Sequence, residues 1–274
     1  MPKAKVDDIQ IYYEVYGNGF PLVLISAYGG NSEDWNLWAP KLKELSKHYK
    51  VVTLDNRGTG RSSTPEGDYS IKTMSDDVAG LLDSLRMPKA HILGQSMGSL
   101  IAQELAINHP RKVEGLILVC TTPGGSAYET IPGQKEALEK LKWDFAPPPG
   151  MSPKAVMEEI MRMCCQKEFF DKNKAELMTY IPKYPTPVST LEKQYDAIMK
   201  FDTCDRLKKI RSRTLVIQGE EDKLLMPEGA RMLVKQIPNA KLKMFKQAGH
   251  LVLEEKWHET KPAILDFLEE LTTN

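Results

Sequence analysis

Three residues of types that cooperate in nucleophilic catalysis each follow a different short apolar segment of the chain. They are Ser96, Asp222 and His250, in that order. A serine hydroxyl is a poor nucleophile until a base removes its proton, and a neutral histidine can do so near pH 7. A carboxylate on the other ring nitrogen fixes the histidine tautomer and stabilises the imidazolium that forms. We therefore expect Ser96 to be the nucleophile, His250 the base and Asp222 the acid.

The residues around the serine predict a sharp turn. Ser96 is the centre of Gly94-Gln95-Ser96-Met97-Gly98, where an apolar segment runs into a segment with helical periodicity. A side chain at the apex of such a turn is held in a strained backbone conformation, and glycines flank it because neighbouring side chains would clash. The pattern alone arises by chance in about one chain in ten of this length. Whether the pattern marks a nucleophile therefore depends on the predicted strands and helices around it.

Short apolar segments alternate with helical-period segments along most of the chain. Residues 3–16 predict an antiparallel hairpin. The apolar strand segments that follow are 22–25, 51–54, 90–93, 116–119, 215–217 and 242–245. The helical segments are 34–48, 72–86, 97–108, 227–237 and 257–271. This alternation predicts an α/β fold with a mostly parallel eight-stranded sheet and helices on both faces.

The interval 124–209 breaks the alternation. It contains no convincing buried strand, and its helix-like segments are 135–142, 154–165, 167–180 and 188–201. Proline clusters between these segments forbid one continuous helix. We interpret 124–209 as an inserted helical cap, with residues 1–123 and 210–274 forming the core.

Composition excludes several classes of partner. The chain has 274 residues, of which 37 are basic and 37 acidic, so nothing electrostatic favours nucleic acid or an anionic membrane. No apolar run approaches the roughly 20 residues that span a bilayer, and the first residues lack a signal-peptide apolar region. The four cysteines lack the paired spacing of zinc or redox sites, so we expect reduced cysteines and a cytoplasmic protein.

Several motifs together resemble those of the α/β-hydrolase fold over essentially the full chain. The segment 55–63 is similar to the family's D-x-R-G-x-G-x-S turn, 219–227 to its acid loop, and Gly249-His250 to its histidine loop. The resemblance implies that the carboxyl ends of the strands gather Ser96, Asp222 and His250 into one site. It also implies a hydrolase without cofactor or metal, acting on a small-molecule ester or lactone through an acyl-enzyme, as a monomer or homodimer.

The same resemblance implies two backbone donors for the oxyanion. One is the N–H of Met97, at the positive start of a helix, and the other is the N–H of Tyr28, in the loop after the first parallel strand. That loop begins Ser26-Ala27, where many relatives have His-Gly. An alanine in a left-handed conformation costs about 1 kcal/mol or more, so we expect the loop to follow a different path. Enol-lactone hydrolases and some methylesterases of this fold also lack His-Gly.

Other activities of the fold stay open. A serine at the turn excludes haloalkane dehalogenases and epoxide hydrolases, which need an aspartate there. Carbon–carbon bond hydrolases, acyltransferases, perhydrolases and haloperoxidases use the same triad. A non-catalytic ligand-sensing protein of this fold is a further alternative.

Individual residues also have alternative interpretations. Glu220 or Glu221 could replace Asp222 as the acid. The other histidines are interpreted as satisfied surface or core residues: His48, His91, His109 and His258. Asp55 and Arg57 are interpreted as structural, and the pair Asp76-Asp77 as a solvated or capping feature of its helix.

The cap supplies candidate pocket residues. It is rich in methionine, which fills irregular pockets and tolerates varied ligands, although most of these side chains would equally pack the cap helices together. Trp143, next to a stiff proline run, is the preferred pocket residue of the cap. Leu251, next to the expected base, is the second.

Overall fold

Eight strands form one sheet in a computed structural model that describes residues 2–37 and 39–272. The strands are β1 (Lys3–Val6), β2 (Ile9–Tyr16), β3 (Pro21–Ile25), β4 (Lys50–Leu54), β5 (Ala90–Gln95), β6 (Val113–Val119), β7 (Arg213–Gly219) and β8 (Ala240–Phe245). Their order is β1-β2-β4-β3-β5-β6-β7-β8. β1 and β2 pair antiparallel with each other, and β2 pairs antiparallel with β4. The other neighbours are parallel, which confirms the predicted sheet.

The central strands are apolar on both faces because helices cover both. Along β5, Ile92 packs into one buried cluster and Leu93 into a second cluster on the opposite face. On β6, Leu116 and Leu118 join the first cluster, while Ile117 joins the second. This is the alternation expected of a strand with period two between two helical layers. The sheet is therefore a rigid platform for the loops at the carboxyl ends of its strands.

The α-helices occur in two groups. Those between or after the strands are α1 (Lys41–Leu45), α2 (Ile71–Ser84), α3 (Met97–Asn108), α9 (Pro227–Gln236), α10 (Val252–Glu255) and α11 (Trp257–Thr272). Those of the interval 124–209 are α4 (Ser126–Thr130), α5 (Gln134–Glu139), α6 (Pro153–Cys164), α7 (Lys167–Thr179) and α8 (Val188–Met199). None of the helices described is long and apolar enough to cross a membrane.

The predicted helix 34–48 is wrong as a single element. The structure has a 3-10 helix at Ser32–Asn36 and the short α1, with residue 38 outside the described residues. Pro40 immediately precedes α1. Proline has no N–H to donate and disfavours a helical residue before it, so a continuous helix cannot cross this point.

The interval between β6 and β7 is helical. Within the described residues it contributes no strand to the sheet, and its one β-bridge pairs Gly124 with Asp202. Proline punctuates it as predicted: α6 begins at Pro153 behind the capping hydroxyl of Ser152, and α8 begins directly after Pro187. Helix α8 lies over the loops at the carboxyl ends of β3 and β4, since Thr190 on α8 donates to the carbonyl of Gly58 and Gln194 accepts from Gly29 N–H.

One acidic pair differs from its predicted role. Asp77 on α2 is buried, and both of its oxygens accept hydrogen bonds from the Arg57 guanidinium at 2.6 Å. Asp76, its neighbour, is partly exposed and pairs with Lys72 and His109. Only Asp76 fits the predicted solvated feature. Helical periodicity places the two on different faces, and Asp77 is the one that turns towards the core.

Candidate active site

Ser96 occupies the sharp turn between β5 and α3. Its backbone has φ 54° and ψ −123°, a combination that L-residues rarely adopt. The flanking glycines have no room for a side chain: a Cβ on Gly94 would lie 2.1 Å from the carbonyl oxygen of Gly98, and a Cβ on Gly98 would lie 2.1 Å from that of Ile25. The tight packing of the two glycines therefore fixes the backbone of the turn that carries Ser96.

The structure brings Ser96, His250 and Asp222 together. Nε2 of His250 lies 2.8 Å from Oγ of Ser96, and Nδ1 lies 2.8 Å from Oδ2 of Asp222. All three side chains are buried. These distances are within hydrogen-bonding range, so a proton can pass from the serine to a histidine whose other nitrogen is held by a carboxylate.

Asp222 is held in place by four donors. Oδ1 accepts the backbone N–H groups of Leu224 and Leu225, each at 2.9 Å, and Oδ2 accepts Nε2 of Gln218 at 2.9 Å in addition to His250. Glu220 and Glu221 are exposed, and no described hydrogen bond joins either carboxylate to His250. The carboxylate facing the histidine is therefore that of Asp222.

The loop that carries His250 is bound by the carboxyl end of α6. The carbonyl oxygen of Cys164, the last residue of α6, accepts the N–H groups of His250 at 2.7 Å and Leu251 at 3.1 Å. The Glu255 carboxylate accepts the N–H of Gly249, and burial raises the pKa of Glu255 to about 7. These contacts cannot be predicted from the sequence, because nothing in the local pattern relates residue 164 to residue 250.

The two expected oxyanion donors border one cavity. Within the described chain, neither Met97 N–H nor Tyr28 N–H donates a hydrogen bond to the protein. Met97 is the first residue of α3, so its N–H also carries the positive end of the helix dipole. Ala27 is not among the residues of positive φ, whereas Gly29 has φ 67°. The left-handed position thus lies two residues after Ala27, which explains how alanine fits this loop.

Two adjacent cavities are lined by loops at the carboxyl ends of the strands and by residues of the interval 124–209. The smaller has a volume of about 220 Å³ and is bordered by Ser96 and His250, and the larger has a volume of about 450 Å³. The residues that line both are Ala27, Tyr28, Asp144, Met157, Met161 and Leu251. Leu251, the second predicted pocket residue, therefore borders both cavities, and Met157 and Met161 of α6 contribute to their walls.

Trp143 lies one residue away from the cavity wall. Asp144 lines both cavities, whereas Trp143 is not among the residues that line either of them. The Trp143 ring instead packs near the ammonium of Lys140, 5.3 Å from the ring centroid. This segment is a 3-10 helix, Lys140–Asp144, whose rotation per residue differs from that of an α-helix. The sequence pattern identified the segment but not the residue that faces the site.

One group of potential metal ligands includes two of the three predicted catalytic residues. Cys120, Asp222 and His250 offer ligand atoms within 4.8 Å of one another. His250 and Asp222 already bind each other, and burial strongly raises the pKa of the Cys120 thiol, which disfavours the thiolate that metals require. The donor set therefore suits a hydrogen-bonded pair better than a cation.

The remaining candidate residues have structural roles. Asp55 accepts hydrogen bonds from Ser32 and Arg61 and organises the glycine turn. His109 pairs with Asp76, and His48 and His258 are exposed. His91 is buried in the core, which agrees with part of its predicted role. The prediction of satisfied hydrogen bonds is wrong for this residue, because neither ring nitrogen has a partner among the described residues.

Comparison with known proteins agrees with this architecture. The sequence matches the family model for the alpha/beta hydrolase fold over residues 21–256. The chain belongs to the α/β hydrolase fold family. Among curated relatives, the putative carbamate hydrolase RutD of Caulobacter segnis is 29% identical over 251 residues, covering 88% of this chain and 89% of that protein.

Two solved structures of similar fold are of enzymes that act on lactones. The enol-lactonase from Burkholderia xenovorans LB400 superimposes with a TM-score of 0.82 at 26% identity, covering 98% of this chain and 100% of that one. Est816, described as an N-acyl homoserine lactone degrading enzyme, gives a TM-score of 0.80 at 26% identity, covering 97% and 100%. The family match and these relatives identify the chain as an α/β hydrolase.

Proposed function

We propose that this α/β hydrolase cleaves a carboxylic ester or lactone through an acyl-enzyme on Ser96. The observation that carries the proposal is the continuous chain of hydrogen bonds from Ser96 Oγ through His250 to Asp222, each 2.8 Å long. Such a chain activates a serine hydroxyl without a metal or cofactor.

The reaction proceeds in two halves. His250 accepts the Ser96 proton as Oγ attacks the carbonyl carbon, and it then gives that proton to the leaving oxygen as the tetrahedral intermediate collapses. In the second half His250 deprotonates a water molecule, which attacks the acyl-enzyme, and it returns that proton to Oγ of Ser96 as the carboxylic acid is released. Asp222 stabilises the imidazolium in both halves. The N–H groups of Met97 and Tyr28 are the proposed donors to the oxyanion, where each donor contributes about 3 kcal/mol to the transition state.

A carbamate is the second candidate substrate class. It is favoured by the similarity to the putative carbamate hydrolases named RutD, which extends over 88% of this chain. A carbamate carbonyl passes through the same kind of tetrahedral intermediate, so the residues would keep the roles described for an ester.

Labelling of the serine tests the activated nucleophile. We expect a fluorophosphonate probe to modify the wild-type protein at Ser96, as located by peptide mass spectrometry, and not to modify Ser96→Ala. The exposed Ser84 provides the control, since Ser84→Ala should label normally. No labelling of the folded wild-type protein would contradict the proposal and favour a non-catalytic ligand-binding role.

A substrate panel tests the class of bond. Turnover of p-nitrophenyl butyrate, N-butyryl homoserine lactone and p-nitrophenyl carbamate should depend on Ser96 in every case where it occurs. Hydrolysis that persists in Ser96→Ala would show that another group carries the reaction.

A further inference from the structure

A carboxylate without a partner stands at the junction of the two cavities. Asp144 ends the 3-10 helix Lys140–Asp144 and lines both the smaller and the larger cavity. Its side chain is exposed in the structure, and no described residue offers it a hydrogen bond or an ion pair. It is therefore free to meet a ligand that enters beside Ser96.

The other carboxylates that line the larger cavity are already engaged. Asp34 accepts the N–H of Asn31 and the hydroxyl of Tyr180. Glu254 pairs with the buried ammonium of Lys41 at 2.7 Å, and its second oxygen accepts the amide of Gln95. Asp144 differs from both because no described residue forms a hydrogen bond or an ion pair with its carboxylate.

The cavities contain no opposing charge. Within the described residues, no lysine or arginine lines either cavity, and His250 is the one basic side chain in the walls. The surrounding protein atoms partly desolvate the Asp144 carboxyl group and raise its pKa to about 6, and no cation of the described residues counteracts that shift. At pH 7.5 the Asp144 carboxyl group is still ionised, so it gives the cavities a negative charge.

The walls around Asp144 are mostly apolar. Met157, Met161 and Leu251 border both cavities with it. Charge interactions are stronger where apolar walls displace water than they are at an open surface. A negatively charged substrate group would be repelled here, and a positively charged group would gain a partner without displacing an existing salt bridge.

We propose that Asp144 is a specificity-determining residue that recognises a cationic nitrogen, such as an ammonium group, on the acyl or the leaving side of the substrate. The inference rests on the proposed hydrolase function, because it assigns a substrate class to that same site. A cation site at Asp144 also predicts that substrates with a carboxylate or phosphate near the scissile carbonyl are poor substrates.

Isosteric ester pairs test the proposal. Butyrylcholine and 3,3-dimethylbutyl butyrate differ by a quaternary nitrogen in place of a carbon on the leaving side, and ethyl 4-(trimethylammonio)butyrate and ethyl 5,5-dimethylhexanoate differ likewise on the acyl side. We expect kcat/KM to favour the cationic member by about tenfold in at least one pair, which corresponds to a single added charge contact. Acid release in a pH-stat at pH 7.5 measures all four.

Two variants assign the preference to the residue. Asp144→Asn should lose the cationic preference, so that the two members of each pair are hydrolysed with equal kcat/KM. Asp205→Asn removes an exposed carboxylate of the same interval that lines neither cavity, and it should retain the preference. Equal rates within both pairs, or a preference that survives in Asp144→Asn, would overturn the proposal.

A binding measurement separates this proposal from the proposed function. Calorimetric titration of Ser96→Ala with butyltrimethylammonium needs no turnover, and the added substitution Asp144→Asn should weaken that binding about tenfold. Binding that depends on Asp144 would support the cation site even if fluorophosphonate labelling fails. No difference between the two proteins, together with normal labelling, would overturn the cation site and leave the hydrolase.

Discussion

Nδ1 of His250 lies 2.8 Å from Oδ2 of Asp222, a carboxylate whose remaining acceptor positions are filled by Gln218 and two backbone N–H groups. The carboxylate therefore cannot rotate away without breaking three other hydrogen bonds. This arrangement holds the proton on Nδ1 and leaves the lone pair of Nε2 directed at Ser96, which is the tautomer that the proposed mechanism needs.

Removing the charge of Asp222 should abolish this tautomer control. In Asp222→Asn the amide can donate to Nδ1, which would place the proton on Nε2 and leave no base for the serine. We expect kcat on p-nitrophenyl butyrate to fall by about 10⁴-fold, by analogy with the serine protease triad. Glu221→Gln changes a neighbouring exposed carboxylate and should leave kcat within a factor of two or so of wild type. Comparable losses in the two variants would argue against Asp222 as the acid.

Backbone strain at Ser96 should be measurable as a difference in the free energy of unfolding between two variants. With φ 54° and ψ −123°, the residue occupies a region that only glycine enters readily. Ser96→Gly and Ser96→Ala both remove the hydroxyl, but only glycine also removes the strain caused by Cβ. We expect Ser96→Gly to exceed Ser96→Ala in free energy of unfolding by about 1 kcal/mol. Urea denaturation measures both, and an alanine variant of equal or greater stability would show that this turn stores no strain.

The buried ion pair between Arg57 and Asp77 should be sensitive to loss of one partner. Asp77→Asn leaves the Arg57 guanidinium buried without a counter-charge, which costs about 3 kcal/mol or more. Asp76→Asn removes an adjacent carboxylate whose pairs with Lys72 and His109 are partly exposed, and it should cost about 1 kcal/mol or less. Chemical denaturation of the two variants gives the comparison. Equal costs would mean that burial does not distinguish the two positions.

His91 should make stability depend on pH. Its ring is fully buried against Phe20 and Tyr49, and burial lowers its pKa from 6.5 to about 4. Between these values the unfolded chain binds a proton that the folded chain does not, so stability falls as the pH decreases through 6.5 towards 4. From pH 7 to pH 5 we expect wild type to lose about 2 kcal/mol relative to His91→Phe.

The comparison with His91→Phe isolates the histidine. Buried carboxyl groups with raised pKa values, such as Asp34 and Glu255, act in the opposite direction in this pH range, but they act equally in both proteins. Their contribution cancels in the difference between the two denaturation curves. A difference that stays constant from pH 7 to pH 5 would contradict the assignment to His91.

Much of the fold follows from local patterns in the sequence. Period-two and apolar segments identify the strands, and helical periodicity places α3 at Met97–Asn108, as predicted. The turn at Ser96 is only partly local, since Gly94 is required by the carbonyl of Gly98 within the turn, whereas Gly98 is required by the carbonyl of Ile25 at the end of β3. Strand ends in a parallel sheet meet at one edge, so the order serine, acid, histidine already placed the three side chains at a common edge.

The tertiary structure decided which side chains face one another. Asp222 rather than Glu221 meets His250, Asp144 rather than Trp143 enters the cavities, and the carbonyl of Cys164 holds the histidine loop. Each choice depends on the direction of a side chain in a loop or a 3-10 helix, or on a contact between residues far apart in sequence. Sequence periodicity specifies the face of a regular element, but in irregular segments the packing of distant parts of the chain determines where a side chain points.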